Sequence, residues 1–555
     1  MLLDLRELPD DSSLEADVCV VGAGVAGVTL TRQLRGQGLS IVLLESGGRD
    51  YEEATQDLYA GANVGMPYYP LDEARLRFFG GSTNVWGGRC AALEPIDFEK
   101  RSWVPHSGWP ISRDDLVPYY EKAHRLLGLG PFVYDETLWA ELRLKPPQFD
   151  SSRLITRFWR FDEMDDRFTL GKCRDLVAAE DVRIVLHANA VRIQATEDAN
   201  VITHIVIRTL EGRGATVRAR AFVLASGGIE NPRLLLASND VEPAGVGNTH
   251  DQVGRYFMEH PHGRVGFLLT DKAYALWRLF QKRFRADGEP LAPLVLPSPK
   301  LQAEQRILNT AITFKLQRSP TQGVKLNKEL YFRLKHQIDP TRAGRRVWHT
   351  YRDVRGWLAR YVRPAHARLR NKLGLTGLSA IVRAEQSPNP SSRIVLSDEK
   401  DALGVPRANL SWQLTDLDKH TVTVLADVLS AELARLGIGR MQRSDWLEND
   451  SPQWPVDKTV GNHPIGGYHH LGTTRMSADP KDGVVDADCR VHGYGNLYIA
   501  GSSVFSTGGW ANPNLTILAL TLRLAEHLAK RAPCLDMSTR AAMPQHAART
   551  TFSPR

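Results

Sequence analysis

The sequence predicts an α/β fold joined to a second, β-rich domain, and three observations lead to this prediction. Near the N-terminus, an apolar run at 17–21 meets a glycine-rich turn at 22–27, a helical stretch and a second apolar run at 39–45. A later apolar run at 221–225 again ends in a small-residue turn followed by a helical pattern. Strand, turn, helix and strand in that order are typical of a parallel sheet. Residues 392–436 instead predict short strands followed by one long helix.

The remaining elements follow from the same patterns of apolar residues. We predict strands at 182–186, 190–193, 392–397, 408–412 and 496–500, and helices at 28–34, 113–127, 233–237 and 416–436. With 555 residues the chain is too long for one small core. We expect a discontinuous first domain from 1–260 and 461–530, in which 60–180 partly forms loop, lid and substrate-side pieces. Residues 261–460 form the second domain, with a basic helical insertion near 325–372, and 531–555 form a disordered tail.

The glycine-rich turn reads Gly22-Ala23-Gly24-Val25-Ala26-Gly27, and the strand after it closes on Glu45. This arrangement is typical of dinucleotide binding: Gly22 permits a tight turn, Gly24 lets the backbone approach a pyrophosphate, and Gly27 lets the helix pack on the strand. The helix N-terminus offers N–H groups to phosphates, and Glu45 can accept hydrogen bonds from ribose hydroxyls. The alternative is an ordinary glycine turn. The unit alone does not separate NAD from FAD, but its place at the N-terminus favours FAD.

A second glycine-rich stretch lies at 78–89 and reads Phe-Phe-Gly-Gly-Ser-Thr-Asn-Val-Trp-Gly-Gly-Arg. Two glycine pairs around a polar and aromatic centre allow a backbone to approach a flat ligand closely. The alternative is a glycine-rich surface loop. The residues here that we expect to contact the cofactor are Gly81, Ser82, Asn84 and Val85.

Composition excludes several classes of protein. The five cysteines are scattered, with no Cys-x-x-Cys, which argues against a disulfide framework or a zinc site and favours free thiols in a reducing cytoplasm. No apolar run is long enough to span a bilayer, and residues 1–15 lack the apolar core of a secretory signal. We therefore expect a cytoplasmic protein without a metal site.

The net charge of +7 is concentrated in one segment, at 325–372, where Arg and Lys alternate with aromatic residues. Three interpretations compete: a solvated helical excursion that covers the substrate site, a surface that docks on a membrane or a protein partner, and a nucleic-acid surface. The last is disfavoured because no nucleic-acid module is recognisable, so we predict no nucleic-acid partner and keep peripheral membrane contact open.

Together, these motifs resemble the glucose–methanol–choline (GMC) family of FAD-dependent alcohol oxidoreductases. The resemblance rests on the N-terminal fingerprint, the loop at 80–82, the segments 223–236 and 251–261, and above all on 469–523. It implies a Rossmann-like FAD-binding domain, of the type also found in p-hydroxybenzoate hydroxylase, and a substrate domain built on an antiparallel sheet covered by helices. Among family members, the Asn-Pro at 512–513 and the Trp-containing loop are most similar to pyranose oxidases and other sugar or glycoside oxidoreductases.

The resemblance also implies site residues. His469 takes the place of the histidine near flavin N5, and Asn512 takes the second place. Val85 stands where some members attach FAD covalently through a histidine, so non-covalent FAD is expected. Gly501 stands where many members have an aspartate and offers only its backbone. The full set of expected FAD contacts is Gly22, Ala23, Gly24, Gly27, Glu45, Gly81, Ser82, Asn84, Val85, Val191, Ala225, Gly501 and Asn514, and Gln386 is a candidate for substrate contact.

The chemistry of the two residues fits alcohol oxidation. An imidazole, with an unperturbed pKa of about 6.5, suits the base that removes the hydroxyl proton. The Asn512 amide can donate to the developing oxyanion, although an Asn before Pro is also a common helix cap, and the helix after it can point the N–H of Asn514 at the flavin. His470 is the alternative base if the register differs by one residue. We expect His260, His463 and His492 to be structural.

The predicted function is FAD-dependent oxidation of a primary or secondary alcohol to a carbonyl, and the preferred substrate is a sugar, a glycoside or a sugar-containing natural product. The electron acceptor is O₂ or else a quinone, dye or redox protein. Two alternatives stay open: the same chemistry on a sterol or aliphatic alcohol, and a non-catalytic flavin-binding partner protein.

Overall fold

The computed structural model describes residues 1–164, 166–285, 288–316, 342–372, 377–449, 453–457, 460 and 463–531. Two large sheets organise these residues, one mainly parallel and one antiparallel, together with a two-stranded sheet. The predicted α/β plus antiparallel β fold class is therefore confirmed. Part of the basic segment, 325–341, and the tail 532–555 lie outside the described residues.

The strands, in chain order, are β1 Leu2–Asp4, β2 Ser12–Val21, β3 Ile41–Leu44, β4 Arg89–Cys90, β5 Leu154–Phe161, β6 Val182–Leu186, β7 Asn189–Ala195, β8 Ile202–Arg208, β9 Gly214–Leu224, β10 His262–Leu269, β11 Arg283–Phe284, β12 Pro290–Pro297, β13 Ala311–Leu316, β14 Gly377–Arg383, β15 Arg393–Lys400, β16 Pro406–Ser411, β17 Gln442–Arg443 and β18 Leu497–Ile499.

The α-helices are α1 Val25–Leu34, α2 Glu53–Asp57, α3 Pro95–Phe98, α4 Arg113–Leu127, α5 Leu138–Glu141, α6 Arg174–Val177, α7 Gly227–Ala237, α8 Ala273–Leu279, α9 Pro299–Gln305, α10 Arg342–Trp357, α11 Arg363–Lys372, α12 Asp416–Arg435 and α13 Asn514–Arg531. A π-helical stretch, Leu358–Val362, joins α10 to α11, and short 3-10 turns lie at Leu5–Glu7, Gly81–Val85, Leu170–Lys172, Asp445–Leu447 and Ser502–Val504.

The first sheet has the order β1-β6-β3-β2-β9-β8-β7, and β18 pairs with β9. Its centre is parallel, with β2 between β3 and β9, whereas β7 and β8 add to the edge in antiparallel fashion. Strand β3 is fully apolar, and β2 and β9 are apolar and buried over 18–21 and 221–224, because a parallel sheet is covered on both faces. Helix α13 packs against α1 and α4. The carboxyl ends of β2, β3 and β9 therefore meet at one edge, below the glycine-rich turn.

The second sheet has the order β17-β10-β14-β13-β12-β5-β4, with β11 on β12, and all its pairs are antiparallel. Helices α8 and α12 cover it, with Leu425 and Leu429 of α12 in its core. Strands β4 and β5 come from the N-terminal third of the chain, so the segment between 60 and 180 contributes two strands to the antiparallel sheet.

Three other features bear on the expectations above. Cys19, Cys90, Cys173 and Cys489 are free and buried, and Cys534 lies outside the described residues. None of the helices that the structure describes combines the length and the apolarity needed to cross a bilayer. The described part of the basic segment is helical and displays exposed apolar side chains, which include Val354, Trp357, Tyr361 and Leu369.

Candidate active site

One long cavity runs from the carboxyl edge of the parallel sheet to the antiparallel sheet. Most of the residues predicted to contact the cofactor or to carry the chemistry line it: Gly22, Ala23, Gly24, Glu45, Gly81, Ser82, Val85, Ala225, Gly501, Asn514, His469 and Asn512. These residues come from both ends of the chain and meet because β18 and β2 both pair with β9. The parallel sheet thus brings the two halves of the site together.

The three glycines of the N-terminal turn differ in what surrounds them. Gly22 has a φ of +105°, and a Cβ there would lie 2.8 Å from the carbonyl oxygen of Ala225. A Cβ on Gly27 would lie 1.9 Å from the carbonyl oxygen of Gly22, so only glycine allows α1 to approach the strand so closely. A Cβ on Gly24 would meet no protein atom within 4 Å. Gly24 is the N-cap residue of α1, and no side chain hydrogen-bonds to the free N–H groups of the first helical turn. Because Gly24 also faces open space, the helix N-terminus is accessible to a phosphate.

Glu45 is buried at the end of β3 and its carboxylate accepts two backbone hydrogen bonds, from Ala23 N (3.0 Å) and Gly47 N (2.9 Å). Burial raises the pKa of this carboxyl, and the two N–H donors oppose that rise. The carboxylate is held rigidly on the cavity wall, as a ribose-binding acid requires.

The cavity suits FAD in two further respects. No protein atom lies within 4 Å of a Cβ built on Gly227 or Gly501, so the backbone is open to a ligand at both positions. Arg75 lines the cavity, and its Nε and Nη1 atoms are buried without a hydrogen-bond partner among the described residues. A buried guanidinium with spare donors suits the phosphate or adenosine end of a dinucleotide. The residues present therefore fit the cofactor that the sequence predicts.

The second glycine-rich stretch forms a 3-10 turn at Gly81–Val85 beside Gly24. Asn84 holds this turn from within: its Nδ2 donates to the carbonyl oxygens of Phe79 (3.1 Å) and Gly81 (2.9 Å). Ser82 accepts from Leu76 N, and Val85 faces the cavity. Asn84 does not line the cavity, so its contribution is to the shape of the loop.

His469 lies at the far end of the cavity, after a strained residue. Tyr468 has a φ of +60°, which is uncommon for a residue with a side chain, and its ring stacks on Tyr69 at 4.2 Å. The turn sends the next two side chains to different partners. His469 Nε2 lies 3.2 Å from Asn512 Nδ2, whereas His470 Nε2 lies 3.1 Å from the hydroxyl of Tyr68. The structure therefore pairs His469 with Asn512.

His260 connects to the other nitrogen of His469. Its Nε2 lies 2.9 Å from the carbonyl oxygen of Gly509, which can only accept, so this nitrogen carries the proton. Burial lowers the pKa of His260 to about 4, so its ring is neutral. Because the proton is on Nε2, the Nδ1 atom of His260 has a lone pair and can accept a hydrogen bond. His469 Nδ1, 2.8 Å away, must then donate to it. Neutral His469 consequently keeps its lone pair on Nε2, the nitrogen next to Asn512.

The pKa of His469 lies well below its ordinary value. Burial is the largest cause; protonation of the neighbouring His260 or His262 would lower the pKa further, and so does the positive charge of Arg383. His469 is therefore neutral, and able to accept a proton, over the physiological pH range.

Glu259 fixes the backbone around His469. Its carboxylate accepts from His469 N (3.0 Å), Gly467 N (3.1 Å), His260 N (2.7 Å) and the hydroxyl of Tyr68 (2.6 Å). Burial raises the pKa of Glu259 to about 7, although these donors favour the anion. In the part of the chain that the structure describes, Glu259, His260 and His469 are the one group whose atoms could converge on a metal ion. Each of those atoms already has a hydrogen-bond partner, so we assign a hydrogen-bond network.

Besides that of Asn84, the structure corrects three of the sequence predictions. Gln386 does not line the cavity: its Oε1 accepts from Glu259 N and Trp412 Nε1, both at 2.9 Å, and its Nε2 donates to Gln413 O. Val191 is buried, and its neighbours Ala188 and Ala190 line the cavity instead. His260, expected to be structural, is in direct contact with His469.

Sequence reasoning also missed several charged residues of the cavity wall. Glu230 forms ion pairs with Arg75 (3.0 Å), Arg77 (3.2 Å) and Arg233 (3.1 Å), and Tyr59 lies under the first two guanidinium groups. Near His469 the wall contains Arg89 and Arg383. The Arg-x-Arg pattern at 75–77, just before the second glycine-rich stretch, could have indicated that Arg75 and Arg77 belong to the cavity wall.

Two family models match the chain. Residues 388–521 match the model described as GMC oxidoreductase, and residues 17–253 match the model described as FAD dependent oxidoreductase. The second range contains the glycine-rich turn and Glu45, and the first contains His469 and Asn512.

Relatives cover most of the chain. The C-glycoside 3-oxidase of Microbacterium trichothecenolyticum is 35% identical over 471 residues, which cover 81% of this chain and 75% of the relative. The fructose dehydrogenase large subunit of Gluconobacter japonicus is 24% identical, over 93% of this chain and 98% of the relative. Among solved structures, formate oxidase of Aspergillus oryzae RIB40 superposes with a TM-score of 0.52 at 16% identity, covering 95% of this chain and 100% of that chain. The last similarity concerns the fold alone.

Proposed function

Because the chain belongs to the GMC oxidoreductase family and is an FAD-dependent enzyme that acts on CH–OH groups, we propose that its substrate is a sugar, a glycoside or a sugar-containing natural product. The observation that carries this proposal is the pair of His469 Nε2 and Asn512 Nδ2, 3.2 Å apart on the wall of the cofactor cavity. The C-glycoside 3-oxidase and the fructose dehydrogenase large subunit, by their names, act on compounds of this class.

The proposed mechanism uses the two side chains together. The substrate hydroxyl replaces their direct contact: it donates to His469 Nε2 and accepts from Asn512 Nδ2. As the C–H bond breaks, the hydroxyl proton moves to His469 Nε2, and the Asn512 amide stabilises the negative charge on oxygen. Bound FAD supplies the hydride acceptor. The contact of His469 Nδ1 with His260 keeps Nε2 deprotonated beforehand.

We further propose that FAD is held without a covalent bond. Val85, half-buried on the cavity wall, has no nucleophilic atom, and the turn that contains it has neither His nor Cys. Denaturation in acid followed by filtration checks this point: the yellow flavin passes the filter if the proposal holds and stays with the protein if it does not.

The test of the proposed function is anaerobic reduction of the purified enzyme. The oxidised protein should absorb near 450 nm, and a panel of hexoses, pentoses and glycosides should bleach that band, whereas an aliphatic alcohol and a sterol should not. Bleaching by the aliphatic alcohol or the sterol but by none of the sugars would contradict the sugar assignment. Reoxidation by O₂, compared with reoxidation by a quinone or dye, identifies the electron acceptor.

We also propose that α10 and α11 contact an anionic membrane surface. Residues 342–372 contain ten Arg or Lys and one acidic residue, Asp353. Trp357, Tyr361 and Leu369 are exposed at 57%, 57% and 58%. Basic helices with exposed aromatic and apolar side chains bind the interface of anionic bilayers. Co-sedimentation with phosphatidylserine vesicles should exceed that with phosphatidylcholine and should be lost in Trp357→Ser/Leu369→Ser. Equal sedimentation with both vesicles would contradict the proposal.

A further inference from the structure

Arg383 is a cation on the cavity wall without an anionic partner. It ends β14 and lines the cavity together with His463 and His469. Its guanidinium donates from Nη1 to His262 Nε2 at 3.0 Å, and its Nε is buried without a hydrogen-bond partner among the described residues. His262 is not a counter-ion, because its Nδ1 proton goes to the carbonyl oxygen of His463 (2.7 Å) and its ring is neutral. Nothing described in the protein therefore balances the charge of Arg383.

A second arginine lies close by. Arg383 Cζ lies 5.2 Å from the ring centroid of Trp159, and Arg89 Cζ lies 5.5 Å from the same centroid. Two cations around one indole repel each other. Burial, and then the charge of Arg89, lower the pKa of Arg383 to about 9. A protein rarely keeps such an arrangement in a buried position unless an anion joins it.

None of the carboxylates on the described cavity wall pairs with Arg383. Glu45 is bonded to Ala23 and Gly47, and Glu230 is bonded to Arg75 and Arg77, all in the half of the cavity formed by the parallel sheet. The remaining acidic lining residue, Glu73, is exposed. Among the described residues, none of the three forms an ion pair with Arg383.

We propose that Arg383, supported by Arg89, forms a subsite for an anionic group of the substrate. The substrate would then be a sugar-type alcohol that carries a carboxylate or a phosphate, with its reacting hydroxyl at His469 and its anion at Arg383. The planar fork of an arginine matches either anion through paired N–H donors. The inference rests on the proposed function for the reacting hydroxyl, but the subsite itself can be tested without turnover.

The turnover experiment compares glucuronate with glucuronamide, its uncharged analogue of the same shape, and glucose 6-phosphate with glucose. Anaerobic stopped-flow reduction of the flavin gives kcat/KM for each. The wild type should prefer the charged member of at least one pair by about 10-fold or more, and the favoured pair distinguishes carboxylate from phosphate. Arg383→Gln should remove the preference, by raising KM for the charged substrate about 10-fold or more relative to KM for the neutral one.

Arg264→Gln is the matched control. Arg264 is a buried arginine on the neighbouring strand β10, pairs with Asp457 at 3.0 Å and does not line the cavity, so this variant should keep the wild-type preference. A wild-type enzyme that does not prefer the charged substrates would overturn the proposal. An Arg383→Gln variant that slows charged and neutral substrates equally would also overturn it, since that result would mean that Arg383 acts on the flavin.

The binding experiment separates this inference from the proposed function. Acetate and inorganic phosphate are titrated into the oxidised enzyme at constant ionic strength, and the perturbation of the flavin spectrum gives Kd. At least one anion should bind the wild type, and its Kd should rise about 10-fold or more in Arg383→Gln but not in Arg264→Gln. If no sugar reduces the flavin but this result holds, the proposed function fails and the subsite stands. Equal Kd values in the wild type and Arg383→Gln would contradict the proposed anion subsite.

Discussion

His469 Nδ1 lies 2.8 Å from His260 Nδ1, and His260 in turn donates from Nε2 to the carbonyl oxygen of Gly509. This chain of hydrogen bonds leaves one arrangement of protons for two neutral imidazoles. The lone pair of His469 then lies on Nε2, next to Asn512. A hydrogen bond thus decides which nitrogen of the base is available to the substrate.

The first prediction concerns His260 as a positioning residue. His260→Leu removes the acceptor for His469 Nδ1–H and should lower the rate of flavin reduction by about 10- to 100-fold. His260→Gln can offer an amide oxygen to His469 and an N–H to Gly509, so it should recover most of that rate. Stopped-flow reduction at several pH values measures both. Equal rates in His260→Leu and His260→Gln would show that the proton arrangement is immaterial.

The second prediction concerns pH. Because the pKa of His469 is lowered well below its ordinary value, the base stays neutral as the pH falls through about 6.5. The rate of flavin reduction at saturating substrate should therefore be flat between about pH 8 and about pH 6. A decrease in rate with a midpoint near pH 6.5 would mean that His469 titrates like an exposed histidine.

The third prediction uses two glycines of one turn. Gly24→Ala places a methyl group where no protein atom lies within 4 Å, so the unfolding free energy of the apoprotein should change by about 1 kcal/mol or less while FAD content falls strongly. Gly27→Ala forces a Cβ against the carbonyl of Gly22 and should destabilise the apoprotein itself by about 1–3 kcal/mol. Urea denaturation and flavin absorbance separate the two effects. Full FAD content in Gly24→Ala would contradict the placement of the cofactor.

These results show what the sequence could and could not predict. Strands β2, β3, β6, β9 and β18 were predictable where their apolar runs are continuous, and α4 and α12 because polar caps precede amphipathic runs. Strands β1 and β8 of the same sheet were not predicted. Helix α7 was predicted to begin at Arg233, but it begins at Gly227 and contains Pro232. Packing of α7 against β7 and β15 keeps the helix intact despite the proline, and local propensity does not contain that information.

The site was predictable to the extent that local motifs determine it. His469, Asn512 and the glycines are in recognisable motifs, whereas the role of His260 depends on a partner 209 residues away. Gln386 was a candidate for substrate contact, but its side chain is buried and its amide hydrogen-bonds to the protein. Long-range pairing of this kind is set by the tertiary fold.

The fourth prediction concerns the buried ion pair of Arg101 and Glu385. Arg101 and Glu385 form two hydrogen bonds, at 2.9 and 2.5 Å, with both side chains almost fully buried. Arg101→Met leaves a buried carboxylate unpaired and should lower the unfolding free energy by about 3–5 kcal/mol. Arg101→Met/Glu385→Leu should recover part of this loss. Denaturation of the holoenzyme in guanidinium measures both, and an Arg101→Met variant as stable as wild type would show that the pair is dispensable.

In the proposed mechanism, His469 removes the hydroxyl proton of the substrate. The most direct measurement is anaerobic stopped-flow reduction of His469→Ala, with the FAD spectrum recorded to confirm that the cofactor is bound. We expect flavin reduction by the best sugar substrate to slow by about 10²- to 10⁴-fold, with FAD retained. A His469→Ala enzyme that is reduced at the wild-type rate would contradict this mechanism.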